Sequence, residues 1–543
     1  MATTDPVESN PATRPEDKVS LGQKIALGLG AFPSTTGTQI VQVMTMPIYQ
    51  FVLGLHPLLL GLAMTIPRLW DAFVDPIMGY KSDNFRSPWG RRRPFIFFGA
   101  FLLAISFAGV WLLPRGWTRI EETQAAKQAA AGAQPAAAAT IEAKDGSPSA
   151  PAAEARPAEE RKLTSRDWAM FAWLLATSIA FYTCYAAFSV PLASLSYEMT
   201  ADYNERTRVM AYWGFFTMAG NFCINFYYPL TEQGNLFADP LSGARWLSLW
   251  VGIFVFVGLG VVPAIFTRER VYRAAAKQQK VPLLPAIKET LHSRPMIVLL
   301  LTFMALAFVG AMASAMAVYI VIFYVHGGNR ASGSVLNGLN GVGFQLVGFV
   351  AVPLLSWLAI RFGKRGAMFL VLFLGALGGV AKWFLYSPDF FMPFSLQLPG
   401  WLHWLSARPI QLHWLLLDPL LSGPIWVAWN MLVPSMMADL CDVDEYRYGM
   451  RREGIFGAVF AWFQKVGFSL TFIFTLTAVW LCGFNEKLGA NQPEGTMTTM
   501  RMFFAGFSTL AMLLGIAFLC FYNVNEKRAR EIRALLEARR GTI

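Results

Sequence analysis

Residues 56–81 read HPLLLGLAMTIPRLWDAFVDPIMGYK, an apolar stretch that carries two aspartates, Asp71 and Asp75, near its end. At ~1.5 Å per residue, a helix of this length crosses the ~30 Å hydrocarbon core of a bilayer. The two carboxylates, four residues apart, lie on one face of that helix. A carboxylate within a bilayer is costly unless it faces a partner, a cavity or a translocated cation. The stretch therefore predicts a membrane-spanning helix with a functional site; the alternative for Asp71 is a structural salt bridge with Arg68.

The composition of the whole chain is that of a membrane protein. Of its 543 residues, 55% are hydrophobic and 15% are charged, and the mean hydropathy is +0.42. Soluble proteins are less apolar than this. The net charge of +11 is spread over alternate loops, which argues for membrane topology and against a nucleic-acid partner. The five cysteines lack metal-ligand spacing and are expected to be free thiols.

Twelve apolar segments are long enough to span a bilayer, and they predict an all-α integral membrane protein with twelve transmembrane helices. The segments lie near 22–53, 57–80, 95–113, 167–192, 207–230, 244–266, 295–325, 333–360, 366–386, 412–437, 453–484 and 497–523.

The short loops carry Lys and Arg on one side only. These residues are Lys81, Arg86, Arg91, Arg92 and Arg93 after segment 2, Arg206 and Arg208 after segment 4, Arg361, Lys364 and Arg365 after segment 8, and Arg447, Arg451 and Arg452 after segment 10. Cytoplasmic loops carry such an excess, so we expect a multi-pass protein of the plasma (inner) membrane with both termini in the cytoplasm.

Two longer stretches interrupt the segments. Residues 267–294 are rich in Lys and Arg and predict a cytoplasmic linker between two six-helix halves. Residues 118–165 are rich in Ala, Pro and Glu and cannot bury enough apolar surface to fold, so we expect a disordered extracytoplasmic insert; a partner-binding segment is the alternative. The other predicted units are cytoplasmic tails at 1–21 and 524–543 and the halves at 22–266 and 295–523.

Two motifs carry a family resemblance. The string GYKSDNFRSPWGRR at 79–92 resembles the cytoplasmic signature of the major facilitator superfamily. The longer string WDAFVDPIMGYKSDNFRSPWGRRRP at 70–94 resembles a hallmark of its glycoside–pentoside–hexuronide:cation symporter family, and MADLCDVDEYRYGMRREGI at 437–455 resembles a second one. The resemblance covers nearly the whole chain apart from the insert. It implies the major facilitator fold, with two pseudo-symmetric halves, and cation-coupled symport of a sugar or glycoside by alternating access.

A lysine in the second half matches the aspartates in depth. Lys465 lies about 12 residues from the cytoplasmic end of segment 11 and Asp71 about 10 residues from that of segment 2, or ~18 Å and ~15 Å by helical rise. An ammonium at that depth needs an anionic partner, and an acid of the opposite half is the natural one. We therefore expect Asp71, Asp75 and Lys465 to couple a cation to the movement of the two halves.

Other charged residues have different expected roles. Lys382 and Asp418 lie nearer the outer surface, and interfacial anchoring is expected for each. A charge network at the cytoplasmic end is expected to close an inner gate, although the basic run alone would also serve as an orientation signal. Its members are Asp83, Arg91, Arg92, Arg93, Asp439, Asp442, Asp444, Glu445, Arg447, Arg451, Arg452 and Glu453.

The resemblance also assigns substrate positions. Sugar-transporting members have a helix 1 acid, a helix 4 acid and a helix 5 arginine where this chain has Thr35, Ser189 and Trp213. Two hydroxyls and an indole ring can still bind a glycoside, and Arg68 completes the expected substrate-binding set. An amphipathic lipid-like molecule, another non-sugar solute, or facilitated transport without ion coupling are the alternatives.

The coupling ion is expected to be a proton, with sodium as the alternative. The family's sodium site adds polar ligands where this chain has Val74 and Ala186. Sodium needs several oxygen ligands, whereas a proton needs one carboxylate of suitable pKa. A shift of three residues in helix 4 would bring Thr183 to the site and restore one ligand.

Enzymatic activity is not expected. The five histidines are scattered, and the sequence has no HExxH motif and no Gly-rich phosphate loop. We expect no cofactor and no bound metal. The expected partners are the lipid bilayer and a small-molecule substrate, a glycoside, with the protein acting as a monomer.

Overall fold

A computed structural model describes residues 18–114, 163–199, 203–268, 294–387, 395–396, 410–448, 453–485, 488–489, 491–522, 531–532 and 535. Nearly all of them are helical; one antiparallel pair of two-residue strands, Ser395–Leu396 and Ile410–Gln411, departs from the predicted all-α fold. The predicted tails, the insert at 118–165 and the linker at 267–294 fall almost entirely outside these residues.

The described part of the chain contains a helix at each of the twelve predicted positions. They are α1 (Leu21–Met46, extended by a π-helical turn, Pro47–Val52), α2 (Pro57–Asn84), α3 (Arg93–Trp111), α4 (Ser165–Glu198), α5 (Tyr203–Thr231), α6 (Pro240–Trp250, the π-helical stretch Val251–Leu259, and Val261–Phe266), α7 (Arg294–Tyr319, extended by a π-helical turn, Ile320–Val325), α8 (330–362), α9 (364–385), α10 (Leu412–Tyr448), α11 (Glu453–Leu481) and α12 (Thr496–Cys520).

Two boundaries differ most from the sequence prediction. α8 and α9 form one 56-residue helix, Arg330–Leu385, that is interrupted only at Gly363, where φ is 78°. Glycine adopts a positive φ without strain, so one residue replaces the expected loop. α10 continues to Tyr448 instead of ending at 437, and Asp439 and Asp442 are therefore helical.

The fold is that of an integral membrane protein. Eight of the described helices are long and apolar enough to cross a bilayer, and one of these is the helix that contains both α8 and α9. Large apolar side chains such as Phe98, Ile105 and Ile253 are exposed, as expected for a surface that faces lipid.

The halves pack most extensively through two helix pairs, α2 with α11 and α5 with α8. One buried apolar cluster combines both halves, with Phe51, Tyr319 and Leu476 among its members. A second cluster, which includes Phe303 and Trp429, is formed by residues of the second half together with Ile532 of the C-terminal tail. The second-half members of the shared cluster, such as Tyr319 and Leu476, lie towards the helix ends opposite to the basic loops. We call these two sides of the molecule the basic side and the opposite side.

Candidate functional site

The two aspartates of α2 meet a lysine of α11 in the middle of the bundle. Lys465 Nζ donates to Asp71 Oδ2 at 2.9 Å and also to Asp75 Oδ2. The Asp71 side chain is 1% exposed, whereas those of Asp75 and Lys465 are 29% and 30% exposed. One ammonium of the second half thus bridges two carboxylates of the first, and solvent reaches only one edge of the cluster.

Arg68 adds a second cation. Its Nη1 lies 3.9 Å from Asp71 Oδ2, and its guanidinium lies 5.1 Å from the centre of the Tyr182 ring. Asp71 therefore makes the predicted structural salt bridge with Arg68 as well as the contact with Lys465, and the Lys465 contact is the closer one. Two cations balance two carboxylates, which offsets part of the cost of burying them.

Close packing of α2 on α11 brings these charges together. A Cβ on Gly61 would lie 3.1 Å from the Ile473 Cα, and Thr65 Oγ1 donates to the Ser469 carbonyl at 3.0 Å. Gly61 and Thr65 are four residues apart and share one face of α2. Asp71 and Asp75 contact Lys465 of the same partner helix, α11. The face that contacts the other half is therefore also the face that carries the carboxylates.

Each aspartate retains one oxygen that can receive a cation. Asp71 Oδ1 and Asp75 Oδ1 are buried and accept no hydrogen bond from the described residues. Nearby, Thr183 Oγ1 accepts from Trp70 Nε1 at 3.0 Å and donates to the Ile179 carbonyl at 2.8 Å. The Thr183 hydroxyl is thus engaged between α2 and α4.

The predicted substrate positions Thr35, Ser189 and Trp213 lie on three adjoining helices, α1, α4 and α5. Thr35 and Trp213 are half-buried, and Ser189 is buried one turn beyond Tyr185, whose hydroxyl donates to the Ser34 carbonyl at 2.9 Å. Within the described contacts no hydrogen bond joins the three. Arg68, the fourth predicted position, lies in the charged cluster instead.

Aromatic side chains close the opposite side between the halves. The Phe51 ring of the α1 extension lies 5.0 Å from the Tyr319 ring and 5.2 Å from the Phe323 ring, both of α7, in edge-to-face geometry. The Tyr319 hydroxyl also donates to Gln50 Oε1. Because these residues are buried, we infer that no solvent path crosses the bundle here.

A half-buried glutamate and an arginine also connect the two halves on the opposite side. Tyr228 Oη donates to Glu232 Oε1 at 2.9 Å at the end of α5. Burial raises the pKa of Glu232. The hydrogen bond from Tyr228 and the positive charge of Arg330 in α8 lower this pKa but only partly offset the effect of burial. The Arg330 guanidinium lies 5.8 Å from the Phe51 ring. Arg330 therefore interacts with the first half through both an acid and an aromatic ring.

The predicted inner-gate residues are only partly described. Arg93 donates to the carbonyls of Ala264 (2.5 Å) and Ile265 (2.9 Å), and Asp439 accepts from Lys364 at 2.7 Å, so these named contacts stay within one half. Arg91, Arg92 and Asp444 are buried, and Asp442 and Glu445 are half-buried. Arg451 and Arg452 lie outside the described residues, as do the side chains of Asp83, Arg447 and Glu453.

The expectation that Lys382 and Asp418 are interfacial anchors is wrong. Lys382 Nζ pairs with Asp418 Oδ1, and the two side chains are only 9% and 2% exposed. Tyr386 Oη donates to Asp418 Oδ2 at 2.6 Å, and Lys382 donates to Ser422 Oγ at 3.0 Å. Asn340 Nδ2 donates to Tyr386 Oη at 2.9 Å. Side chains of α8, α9 and α10 therefore enclose both charges, although each lies near a helix end.

A family model described as "MFS/sugar transport protein" matches residues 26–121 and 161–526. The unmatched stretch between them falls within the predicted insert.

Similar proteins include several transporters. An uncharacterized symporter of Synechocystis is 24% identical over 96% of this chain and 98% of its own length. An isoprimeverose transporter of Lactiplantibacillus pentosus is 21% identical, with 85% of this chain and 82% of the relative covered. A glucuronide carrier protein homolog of Escherichia coli is 23% identical, with coverages of 91% and 90%.

Among solved structures, a bacterial homolog of the human lysosomal transporter Spinster superposes with a TM-score of 0.59 at 14% identity, covering 96% of this chain and 99% of that one. This likeness supports the major facilitator fold.

Proposed function

This chain belongs to the MFS/sugar transport protein family, and from that premise we propose that it is a cation-coupled symporter of a sugar or glycoside that works by alternating access. It is a membrane transporter and not an enzyme. The observation that carries the proposal is the contact of Lys465, in one half, with Asp71 and Asp75 of the other. The names of the relatives, which refer to isoprimeverose and glucuronides, support a carbohydrate substrate.

The charged cluster supplies the coupling step. With Asp71 and Asp75 ionised, Lys465 holds α2 and α11 together through both carboxylates. A cation that binds the unpaired Oδ1 atoms competes with Lys465 for the negative charge and weakens this contact between the halves. Binding of the cation therefore shifts the equilibrium between the two orientations of the halves.

Two features favour a proton over sodium. Val74 and Ala186, at the positions expected for the polar sodium ligands, are buried and offer no side-chain oxygen. The Thr183 hydroxyl is engaged by Trp70 and by the Ile179 carbonyl. Sodium requires several oxygen ligands, whereas one carboxylate is enough for a proton. No cofactor takes part in this scheme.

Orientation and gating follow from the loop charges. The basic side is assigned to the cytoplasmic face of the plasma (inner) membrane, with both termini in the cytoplasm.

The inner gate would form when the basic side closes. Arg91, Arg92 and Arg93 would then meet the acidic end of α10, which includes Asp439 and Asp442. A paired charge-reversal experiment tests this gate: Arg92→Glu should slow transport, and an added Asp442→Arg should restore part of it. No recovery in any reversed pair of opposite charges would remove the gate assignment.

Uptake by proteoliposomes tests the function. Purified protein is given labelled isoprimeverose, p-nitrophenyl β-glucuronide or a lysophospholipid, with a proton gradient or a sodium gradient imposed alone. We expect accumulation of a glycoside with the proton gradient. Sodium-driven uptake at fixed pH with an uncoupler present would overturn the proton assignment. Equilibration without accumulation would indicate a facilitator, and movement of the lysophospholipid alone would indicate a lipid substrate.

A further inference from the structure

A pair of amide side chains links α1 to α5 outside the charged cluster. Gln39 Nε2 donates to Asn221 Oδ1 at 2.9 Å. The Gln39 side chain is exposed and that of Asn221 is half-buried. Gln39 lies one turn beyond Thr35, and Asn221 lies two turns beyond Trp213. The pair is therefore close to the predicted substrate positions without being one of them.

This amide pair faces the space between the halves. Asn225, one turn beyond Asn221, touches α8 directly: a Cβ on Gly338 would lie 2.4 Å from the Asn225 carbonyl oxygen, and one on Gly341 would lie 2.0 Å from Asn225 Oδ1. This side of α5 therefore contacts the other half and not lipid. Exposed amides that faced hydrocarbon would have no hydrogen-bond partners there. The free edges of Gln39 and Asn221 thus open into the central space, on the basic side of the contact between α5 and α8.

The free edges present one acceptor and one donor side by side. The bond between the amides leaves Gln39 Oε1 as an acceptor and the Asn221 Nδ2 group as a donor, and reversing both amides leaves the same combination. Adjacent hydroxyls of a sugar donate and accept in turn, so they match this edge. A charged group has no counter-charge in the pair, and an alkyl chain would leave the free edges of both amides without partners.

The spacing along α5 indicates the size of the ligand. Asn221 lies eight residues from Trp213, or ~12 Å by helical rise. A ligand that stacks on the Trp213 ring and reaches the amides is longer than a single sugar ring. We propose that the Gln39–Asn221 pair binds two adjacent hydroxyls of the distal ring of a disaccharide or an aryl glycoside. This inference deepens the proposed function and rests on it.

The test measures KM for uptake by proteoliposomes of isoprimeverose and p-nitrophenyl β-glucuronide, and of the monodeoxy analogues of whichever is transported. In the wild type, removal of a hydroxyl that contacts the pair should raise KM about 3- to 10-fold. Gln39→Met and Asn221→Ala should each raise KM of the parent glycoside by a similar factor. For the analogue that lacks this hydroxyl, neither variant should raise KM above the wild-type value for the same analogue. Thr38→Ala is the matched control, because Thr38 Oγ1 donates to the Thr35 carbonyl within α1.

The possible outcomes distinguish failure of the amide site from failure of the proposed transport function. Unchanged KM for the parent glycoside in a folded Gln39→Met or Asn221→Ala variant, or an equal rise for every analogue, would overturn the amide site and leave the transport function standing. The deoxy analogues are also measured with the wild-type protein. An equal KM for all of them would overturn the amide site without the need for any variant. Failure of the wild type to take up either glycoside would instead overturn the proposed function and this inference with it.

Discussion

Two lysine–aspartate clusters lie in the same bundle, and they differ in what they connect. Lys465 joins Asp71 and Asp75 across the two halves, and about 30% of its side chain is exposed. Lys382 joins Asp418 within the second half, and both side chains are nearly sealed. The first cluster leaves two carboxylate oxygens without partners. In the second, both oxygens of Asp418 have hydrogen-bond donors.

The difference indicates different functions for similar chemistry. An ion pair affects alternating access only when its partners belong to bodies that move relative to each other and when an ion can reach it. The Lys465 cluster meets both conditions under the proposed function. The Lys382 cluster meets neither, because α8, α9 and α10 enclose it, and it is expected to fix the packing of those helices.

The largest expected effect is that of Lys465→Ala, which should reduce gradient-driven uptake in proteoliposomes to the level of empty liposomes. The substitution removes the ammonium that connects both carboxylates to the other half. Lys81→Ala is the matched control, since Lys81 is an exposed lysine at the end of α2. Concentrative uptake by Lys465→Ala at the wild-type rate would show that the cluster does not couple.

The second effect is on stability. Asp418→Asn should lower the free energy of unfolding by about 3–5 kcal/mol, because it leaves the Lys382 charge buried and unpaired. Denaturation of the purified protein in detergent measures the loss, and Lys382→Met combined with Asp418→Asn should recover most of it. Uptake per folded molecule should stay normal. A stable Asp418→Asn variant that binds substrate without concentrating it would place this pair in the coupling machinery.

Removal of one hydroxyl group from each region should have smaller effects, on stability in one case and on transport in the other. Ser422→Ala removes hydrogen bonds to both Lys382 and Asp418 and should cost about 1.5–3 kcal/mol of stability with little change in transport. Thr65→Val removes the hydrogen bond to the Ser469 carbonyl across the halves. The loss of about 1 kcal/mol there should alter the rate of substrate exchange several-fold and lower stability by no more than about 1 kcal/mol. The reverse pattern in the two assays would contradict the division of roles.

The Lys465 cluster was predictable because helical geometry alone determines its main features. Spacing fixes that Asp71 and Asp75 share a face, and helical rise fixes their depth relative to Lys465. Twelve apolar segments likewise predicted the helices to within a few residues at most ends. The break at Gly363 was predicted as a short loop, because a short loop and a single glycine of positive φ have the same sequence pattern.

The Lys382 cluster was not predictable in the same way. Its residues lie near helix ends, as the sequence indicated, but their burial depends on side chains that come from other helices. Tyr386 and Asn340 cover the pair, and the Phe504 ring of α12 lies 5.8 Å from Lys382 Nζ. The Gln39–Asn221 pair was missed for a related reason, since only packing shows that α5 turns this face towards α8.

The most direct test of coupling at the Lys465 cluster is the number of cations moved per substrate in Asp71→Asn. Proteoliposomes report substrate with a radiolabel, protons with an enclosed pH dye and sodium with its radioactive isotope, while equilibrium exchange of substrate is followed in parallel. Coupling through Asp71 predicts that exchange persists and that the cation-to-substrate ratio, measurable in the wild type, falls to zero. A ratio equal to that of the wild type in Asp71→Asn would contradict it.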